Sequence, residues 1–323
     1  MILAPRPFSR LNLRRGSALL ATLAVIAALA LVVALVSRVL REDQRYIKVR
    51  QERLNALAWA EAGVAIASHP LIKRGDPTLI WAGPDGEGYK VTIESEDARI
   101  NPAVVLQRED DIFLESLFAL WGMDPDSSAV LIDSMRDWID DDDSVGLNGA
   151  EEGEYEGSGM PGVPPNRRFL SVEEIRHVRG AQALDMLRPG WESLFTVRGS
   201  GVLDLKDAPA ELIAAACGVP IETAQRFVEL RRGPDGIPDN DDDPPMTSLS
   251  DALTLLGPPG VSEEILNSRV GVGSSTQRIT SIGSFGKTSR TLAAVILKGN
   301  ARPAMLWRGE VPSVLPDAPN PGG

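Results

Sequence analysis

Asp140, Asp141, Asp142 and Asp143 are followed, across the glycine-containing turn "SVGLNG", by Glu151, Glu152, Glu154 and Glu156. No Lys or Arg interrupts the run from Ile139 to Gly157. Carboxylates so close together repel one another, so a compact arrangement requires either a cation or full solvation. Calcium suits the composition, because it takes about six to eight oxygen ligands and accepts backbone carbonyls from flexible loops. The helical pattern "VLIDSMRDWID" brings Asp140 and its neighbours from one side, and "GLNGAEE" returns Glu151 and Glu152 to face them. Asp140, Asp142, Glu151 and Glu152 are the leading ligand candidates. The competing reading is a solvated acidic loop without an ion.

A second acidic stretch, "GPDGIPDNDDDPP", sets Asp235, Asp239, Asp241 and Asp243 with Asn240 among Gly and Pro turns. It has the composition of a calcium loop but lacks the Glu at the twelfth position that completes an EF-hand. It is either a second metal site or a solvated connection between helices.

Catalytic chemistry finds little support. His69 and His177 lie on different elements, neither in an H-E-x-x-H spacing, and no Walker loop, G-x-S-x-G or strand-following G-x-G-x-x-G occurs. Ser171 with Glu174 three residues on reads as a helix capping box rather than a nucleophile. The single cysteine, Cys217 in "LIAAACGV", reads as a small buried hydrophobe and can form no intrachain disulfide. With a formal charge of -12 and a pI near 4.8, general binding to nucleic acid or anionic lipid is disfavoured. The stretch "LDLKDAPAELIAAACGVPIETAQRFVELRRG" resembles a helix-hairpin-helix or sterile-alpha-motif-like unit. In this acidic setting it reads as a packing module rather than a grip on DNA.

The elements that must position these residues begin at the N-terminus. Arg6, Arg10, Arg14 and Arg15 precede Gly16 without an acid, and Ser17 to Ser37 carries no charge. A helix over 17–37 would be about 31 Å long, the thickness of a bilayer core. The arginines would stay cytoplasmic and the bulk of the chain would lie on the other side of the inner membrane. Three readings compete. A cleaved secretory signal is weakened by Arg38, Arg41 and the helical pattern that continues past them. The others are a plain membrane anchor and a leader cut between Gly16 and Ser17, for which "RRGSALL" has the prepilin peptidase pattern.

Apolar residues keep helical spacing through Val39, Leu40, Ile47, Leu54, Leu57, Ala58 and Ala65 until Pro70 and Gly75, predicting one helix over about 17–69. A turn and "YKVTIES", alternating with period two, predict a hairpin or small sheet. Seven short helical patterns separated by Gly/Pro loops fill 103–270, and "QRITSIGSFGKTSRTLAAVILKGN" reads as two strands around "SFGKTS". The expected fold is α+β, a small antiparallel sheet and long N-terminal helix with a large all-α insertion. Its parts are a leader at 1–16, a membrane or filament-core helix at 17–37 and the helix continuation with first strands at 38–102. The insertion occupies 103–270, terminal strands 271–310 and a flexible tail 311–323.

These pieces together resemble the K-type minor pseudopilins of the bacterial type II secretion pathway. The likeness rests on "RRGSALL", "ARINPA", "LIDSMRDWIDDDD" with "NGAEEGEY", "NRRFLSVEEIRHVRG" and "LDLKDAPAELIAAACG". The resemblance implies a type IV pilin-like fold and a place at the tip of a periplasmic pseudopilus beside I- and J-type minor pseudopilins. Processing by prepilin peptidase and docking on the inner-membrane secretion platform follow from it, as does calcium in the acidic loop. Most pseudopilins carry Glu at the fifth mature position, whereas counting from Ser17 gives Ala21, which is similar to the K subunit. The alternative is a single-pass inner-membrane protein whose periplasmic helical domain binds calcium or a partner outside any pilus.

Overall fold

The computed structural model describes residues 13–299, except 158, 237 and 239, together with 303–311. The expected leader up to residue 12 and the tail from 312 lie outside the described residues.

Leu13–Ala67 is one α-helix, α1, so Gly16 and Ser17 both fall inside it and it starts a turn earlier than the apolar pattern predicts. Its N-terminal half is long and apolar enough to cross a membrane. Leu19, Leu20, Leu23, Ile26 and Leu29 all stand exposed, a surface that requires lipid or neighbouring helices. The other half turns Ala56, Ala60, Val64 and Ala67 inward at helical spacing, each fully or almost fully buried.

That small-residue face lies on a five-stranded antiparallel sheet. β1 (Ile80–Ala82) and β2 (Gly88–Ser95) form a hairpin, as the alternation of "YKVTIES" predicts. The chain then leaves the sheet and re-enters far downstream, where the strand from Thr276 to Phe285 pairs with all of β2, Val91 opposite Ser281 and Ile93 opposite Ile279. Gly283 on that strand has no room for a side chain, since a Cβ would collide with the Ala56 carbonyl and the Ala60 backbone. Gly63 on α1 is similarly crowded by Ser281 and Val91. Glycine at these two positions lets helix and sheet backbones approach closely.

Between the two strands lies the helical domain. It comprises α2 (Pro102–Gln107), α3 (Asp111–Leu120), α4 (Pro125–Ile139), α5 (Glu152–Gly157), α6 (Gln182–Leu187), α7 (Ala210–Cys217), α8 (Ile221–Leu230), α9 (Leu249–Leu256) and α10 (Glu263–Arg269). A short parallel pair, β3 (Leu203–Asp204) and β4 (Val270–Gly271), closes it. β5 (Thr276–Phe285), β6 (Thr288–Leu297) and β7 (Ala304–Val311) then complete the sheet in the order β1-β2-β5-β6-β7. β7, with its Trp307, is a third terminal strand where the alternation pattern identifies only two.

Two hydrophobic cores result. The smaller joins α1 to the sheet through Ala60, Val64, Val91, Ile93, Ile279 and Leu292. The larger fills the helical domain around Trp191, Phe113, Phe118, Phe195, Phe227 and Leu131. The α7–α8 unit packs into it, with Gly218 in the left-handed conformation between the helices and Cys217 fully buried. One local expectation fails. Val172–His177 is a 3-10 turn, and the Ser171 side chain makes no capping bond. Glu174 instead pairs with Arg167 and accepts from the Leu170 amide. A full capping box forms at Ser248 and Asp251.

Candidate metal centre

α4 places acidic residues on one helical face. Asp133, Asp137 and Asp140 recur at spacings of four and three, which brings them to the same side over two turns. The loop that follows is drawn onto this face. Both Asp137 oxygens accept from the Gly146 amide, at 3.2 and 3.0 Å, and Asp133 Oδ2 accepts from the Asn148 amide and side chain at 3.1 and 3.0 Å. Arg179 donates to the Gly149 carbonyl at 2.8 Å. A Cβ on Gly149 or Gly146 would run into the Asp137 carboxylate, so glycine there is what lets the loop close. α5 returns against α4 through Tyr155, whose ring meets Trp138 edge-on at 5.9 Å.

Glu151 sits at the start of α5, 5% exposed, and Asp140 caps the end of α4. Each has a buried oxygen, Glu151 Oε1 and Asp140 Oδ1, with no hydrogen-bond donor. A third orphaned oxygen belongs to Asn166, which adopts a left-handed backbone (φ 47°). Its amide nitrogen donates to the Asp142 carbonyl at 3.0 Å and to Asp143 at 3.1 Å. Strained backbone and unsatisfied acceptors around one acidic loop are a cost that a cation would relieve.

The electrostatics agree. Burial, with repulsion from Asp137, Asp140, Asp143 and Asp142, pushes the Glu151 carboxyl up to about 7. Burial, with repulsion from Asp137, Asp142 and Asp141, pushes Asp140 up to about 6. Asp137 is also raised, chiefly by burial, in spite of amide donors from Gly146 and Ala150. These carboxylates feel one another more than they feel any cation of the chain.

Of the four leading candidates, Asp140 and Glu151 turn orphaned oxygens inward. Asp142 is exposed, its Oδ1 taken by the Ser144 amide at 2.7 Å, although its charge acts on both. Glu152 stands exposed on the first turn of α5. Among the described residues no three Asp, Glu, His or Cys side chains are gathered at metal-holding distance. The donors on offer are two carboxylates and an amide oxygen, a set hard enough for calcium but not for a thiolate-preferring or imidazole-preferring metal. Asp137 and Asn166 were not among the residues singled out by composition. The i, i+3 relation of Asp137 to Asp140 could have identified the first; nothing local marks the second.

The second acidic stretch is arranged differently. Asn240 donates to Asp235 at 2.7 Å, and the amides of Asp235 and Asn240 are taken up by Asp242 and Asp243 at 3.3 and 3.2 Å. Asp235, Asp242 and Asp243 thus each accept from the loop's own donors. Asp241 is exposed, and Asp239 lies outside the described residues.

Residues 95–189, which hold α4, the acidic loop and α5, match the family model described as Type II secretion system (T2SS), protein K. A stretch of 67 residues, 21% of this chain, is 36% identical to "Type II secretion system protein K" of Dickeya chrysanthemi and spans 18% of that protein. The fold is similar to that of a chain in the crystal structure of the GspK-GspI-GspJ complex from the type 2 secretion system of enterotoxigenic Escherichia coli. The TM-score is 0.58 at 18% identity, over 84% of this chain and 99% of that one. A long N-terminal helix on an antiparallel sheet split by a helical domain is the pilin-like architecture with its insertion, and the matched segment opens where the chain leaves the sheet. Over residues 95–189 the chain is thus similar to the type II secretion system protein K family, and over most of its length it shares the fold of a solved chain from such a system.

Proposed function

We propose that this chain is a structural, non-enzymatic subunit at the tip of a type II secretion pseudopilus, where it helps initiate or limit filament assembly for protein export. The supporting observation is the interrupted sheet. β2 and β5 are hydrogen-bonded neighbours from Gly88 to Ser95, yet a whole helical domain, bearing the protein K match, separates them in the chain. Such a domain widens the head beyond what another subunit can stack upon. The exposed apolar half of α1 supplies the other requirement, a surface that lipid and then neighbouring filament helices can bury.

Ala21 fits the same role. A carboxylate at that depth needs a partner in the subunit above, and a tip subunit has none, so an acid there would carry an uncompensated desolvation cost. The proposed partners are I- and J-type minor pseudopilins, with prepilin peptidase acting between Gly16 and Ser17 and the inner-membrane platform extracting α1. Calcium held by Asp140, Glu151 and Asn166, with Asp137 and Asp142 in support, would neutralise charge that otherwise forces the loop apart. Asp133, Asp137 and Arg179 orient that loop by binding its backbone, and Tyr155 holds α5 in place.

The test is expression of the full chain with prepilin peptidase and the I- and J-type subunits, followed by N-terminal sequencing and affinity purification. Ser17 as the first residue and a stoichiometric ternary complex are expected. An intact leader on a solitary chain would overturn the proposal in favour of a bitopic membrane protein outside any pilus.

A further inference from the structure

A cleft of about 710 Å³ lies where the sheet meets the helical domain, away from the acidic loop. The chain carries a net charge of -12, yet this cleft gathers Arg74, Arg99, Lys206, Arg231 and Arg232 against Glu94, Asp207 and Asp243. Arg74 is already held by Asp207 and Arg99 by Glu94. Among the described residues no carboxylate forms an ion pair with Arg231, Arg232 or Lys206.

Arg231 is the informative one. It is 8% exposed, lies over the Phe227 ring at 5.9 Å and gives one hydrogen bond, from Nη1 to the Leu205 carbonyl at 2.7 Å. A guanidinium has five N–H donors, and although the charges of Asp207 and Asp204 act on it, burying one with a single hydrogen-bond acceptor is costly unless a further anion completes its shell. Burial lowers its pKa to about 10, so it is still a cation at neutral pH. Lys206 and Arg232 stand exposed at the same cleft. The remaining wall is mixed, with Leu79 and Val91 on the sheet side, Met246 and Pro244 on the helical side, and Thr92, Ser193 and Thr247 between them. β1 covers β2 only as far as Lys90, and beyond it no strand among the described residues pairs on that side, where Arg74 Nε donates to the Ile93 carbonyl at 2.8 Å and the Ser95 amide donates to Asp207.

We infer that this cleft binds an extended peptide segment through an acidic side chain, its carboxylate taken by Arg231, Arg232 and Lys206 and its apolar flanks by Leu79, Val91 and Met246. Cations without a carboxylate partner, set beside apolar side chains in a cleft, are what an acidic residue between apolar ones would complement. The cleft's chemistry is independent of where the chain sits in a filament.

Calorimetric titration of the full chain in detergent with the tripeptide acetyl-Val-Asp-Val-amide tests this. Saturable binding is expected, weakened about tenfold or more for the Asn tripeptide and for Arg231→Met, since charge-assisted hydrogen bonds contribute at that level. Because Arg231→Met removes a buried residue, the exposed pair Lys206→Gln with Arg232→Gln is measured alongside, with a severalfold loss expected and the thermal midpoint retained. Equal affinity for the Asp and Asn tripeptides, an unaffected surface double variant, or binding of inorganic phosphate without binding of the tripeptide would each overturn the inference.

Discussion

Glu151 is the residue on which a bound cation would act most strongly. It is buried, its Oε1 has no donor, and four other carboxylates act on it. Removing its charge therefore does two opposite things. In chelator, Glu151→Gln relieves repulsion and leaves the protein as stable as the parent or more so. In calcium, it removes a ligand and the stabilisation that binding brings. An ion at about a hundred times its dissociation constant contributes about 2.7 kcal/mol, or about 5 to 10 °C in a domain of this size. The expected result by scanning calorimetry is a rise of that order for the parent in millimolar calcium and almost none for Glu151→Gln. A parent whose midpoint ignores calcium would defeat the assignment. Asn166→Ala should behave as Glu151→Gln does in calcium without the gain in chelator, because the residue it removes carries no charge. Acidity made Asp140 and Glu151 visible in the sequence. Asn166 was not, because its place at the loop is set by a left-handed turn and a fold-back that no short-range pattern encodes.

At the scale of elements, α1 and the strands were legible because their signals are physical and long. α1 shows an uncharged run followed by helical spacing, and β2 shows strict alternation from Tyr89 to Ser95. The short helices were less so. α2, α5 and α10 are six or seven residues each, too brief for periodicity, and Glu174 left its expected cap because Arg167 offers it a charged partner. What the pattern does not reveal is how closely α1 approaches the sheet, and this is where a substitution is diagnostic. Gly283→Val would drive a side chain into the Ala56 carbonyl and Ala60 backbone, prying α1 from β5. A loss of about 1–3 kcal/mol is expected from such overpacking, read as a lower urea midpoint. Gly149→Ala should cost a comparable amount by a different route, pushing the acidic loop off Asp137, and the chain should then lose its response to calcium while α1 stays docked. A Gly149→Ala variant with an undiminished calcium response would separate the loop from the ion site.

The molecule as a whole consists of two apolar cores joined by a polar seam, and the seam decides whether it moves as one body. Glu96 is fully buried there, accepting from Arg278 Nε and Nη2 at 2.7 and 2.9 Å and from Thr196. Asp97 accepts from the Ser200 amide at 2.5 Å and from Ser274, and Asp207 binds Arg74 and the Ser95 amide at 2.9 Å. Thr196 and Ser200 reach these acids from the helical domain and Arg278 and Ser274 from β5 and its approach, while Asp207 reaches from the helical domain to Arg74 and Ser95, so the acids tie the two parts together. Burial alone would raise the Glu96 carboxyl, but the hydrogen bond and charge of Arg278, with Thr196 and Arg99, outweigh it and hold it below its ordinary 4.5. Asp207 is held below 3.8 in the same way by Arg74. A carboxyl lowered on folding stabilises fully above its unfolded value and ceases to do so as pH falls through the folded one. The seam is therefore intact at neutral pH and loosens below about pH 4, while the apolar cores do not titrate. Calorimetry should show one cooperative transition at pH 7 that broadens or divides in strong acid. Glu96→Gln should bring that division to neutral pH, since it takes the anion from Arg278, whose side chain is only partly exposed, at about 1–3 kcal/mol for the charged hydrogen bonds lost. A single sharp transition for Glu96→Gln at pH 7 would mean that the cores are coupled by something other than the seam. Apolar packing alone sets no direction between the two cores, whereas these charge-assisted bonds fix how the insertion sits against the sheet and so how a force on one reaches the other.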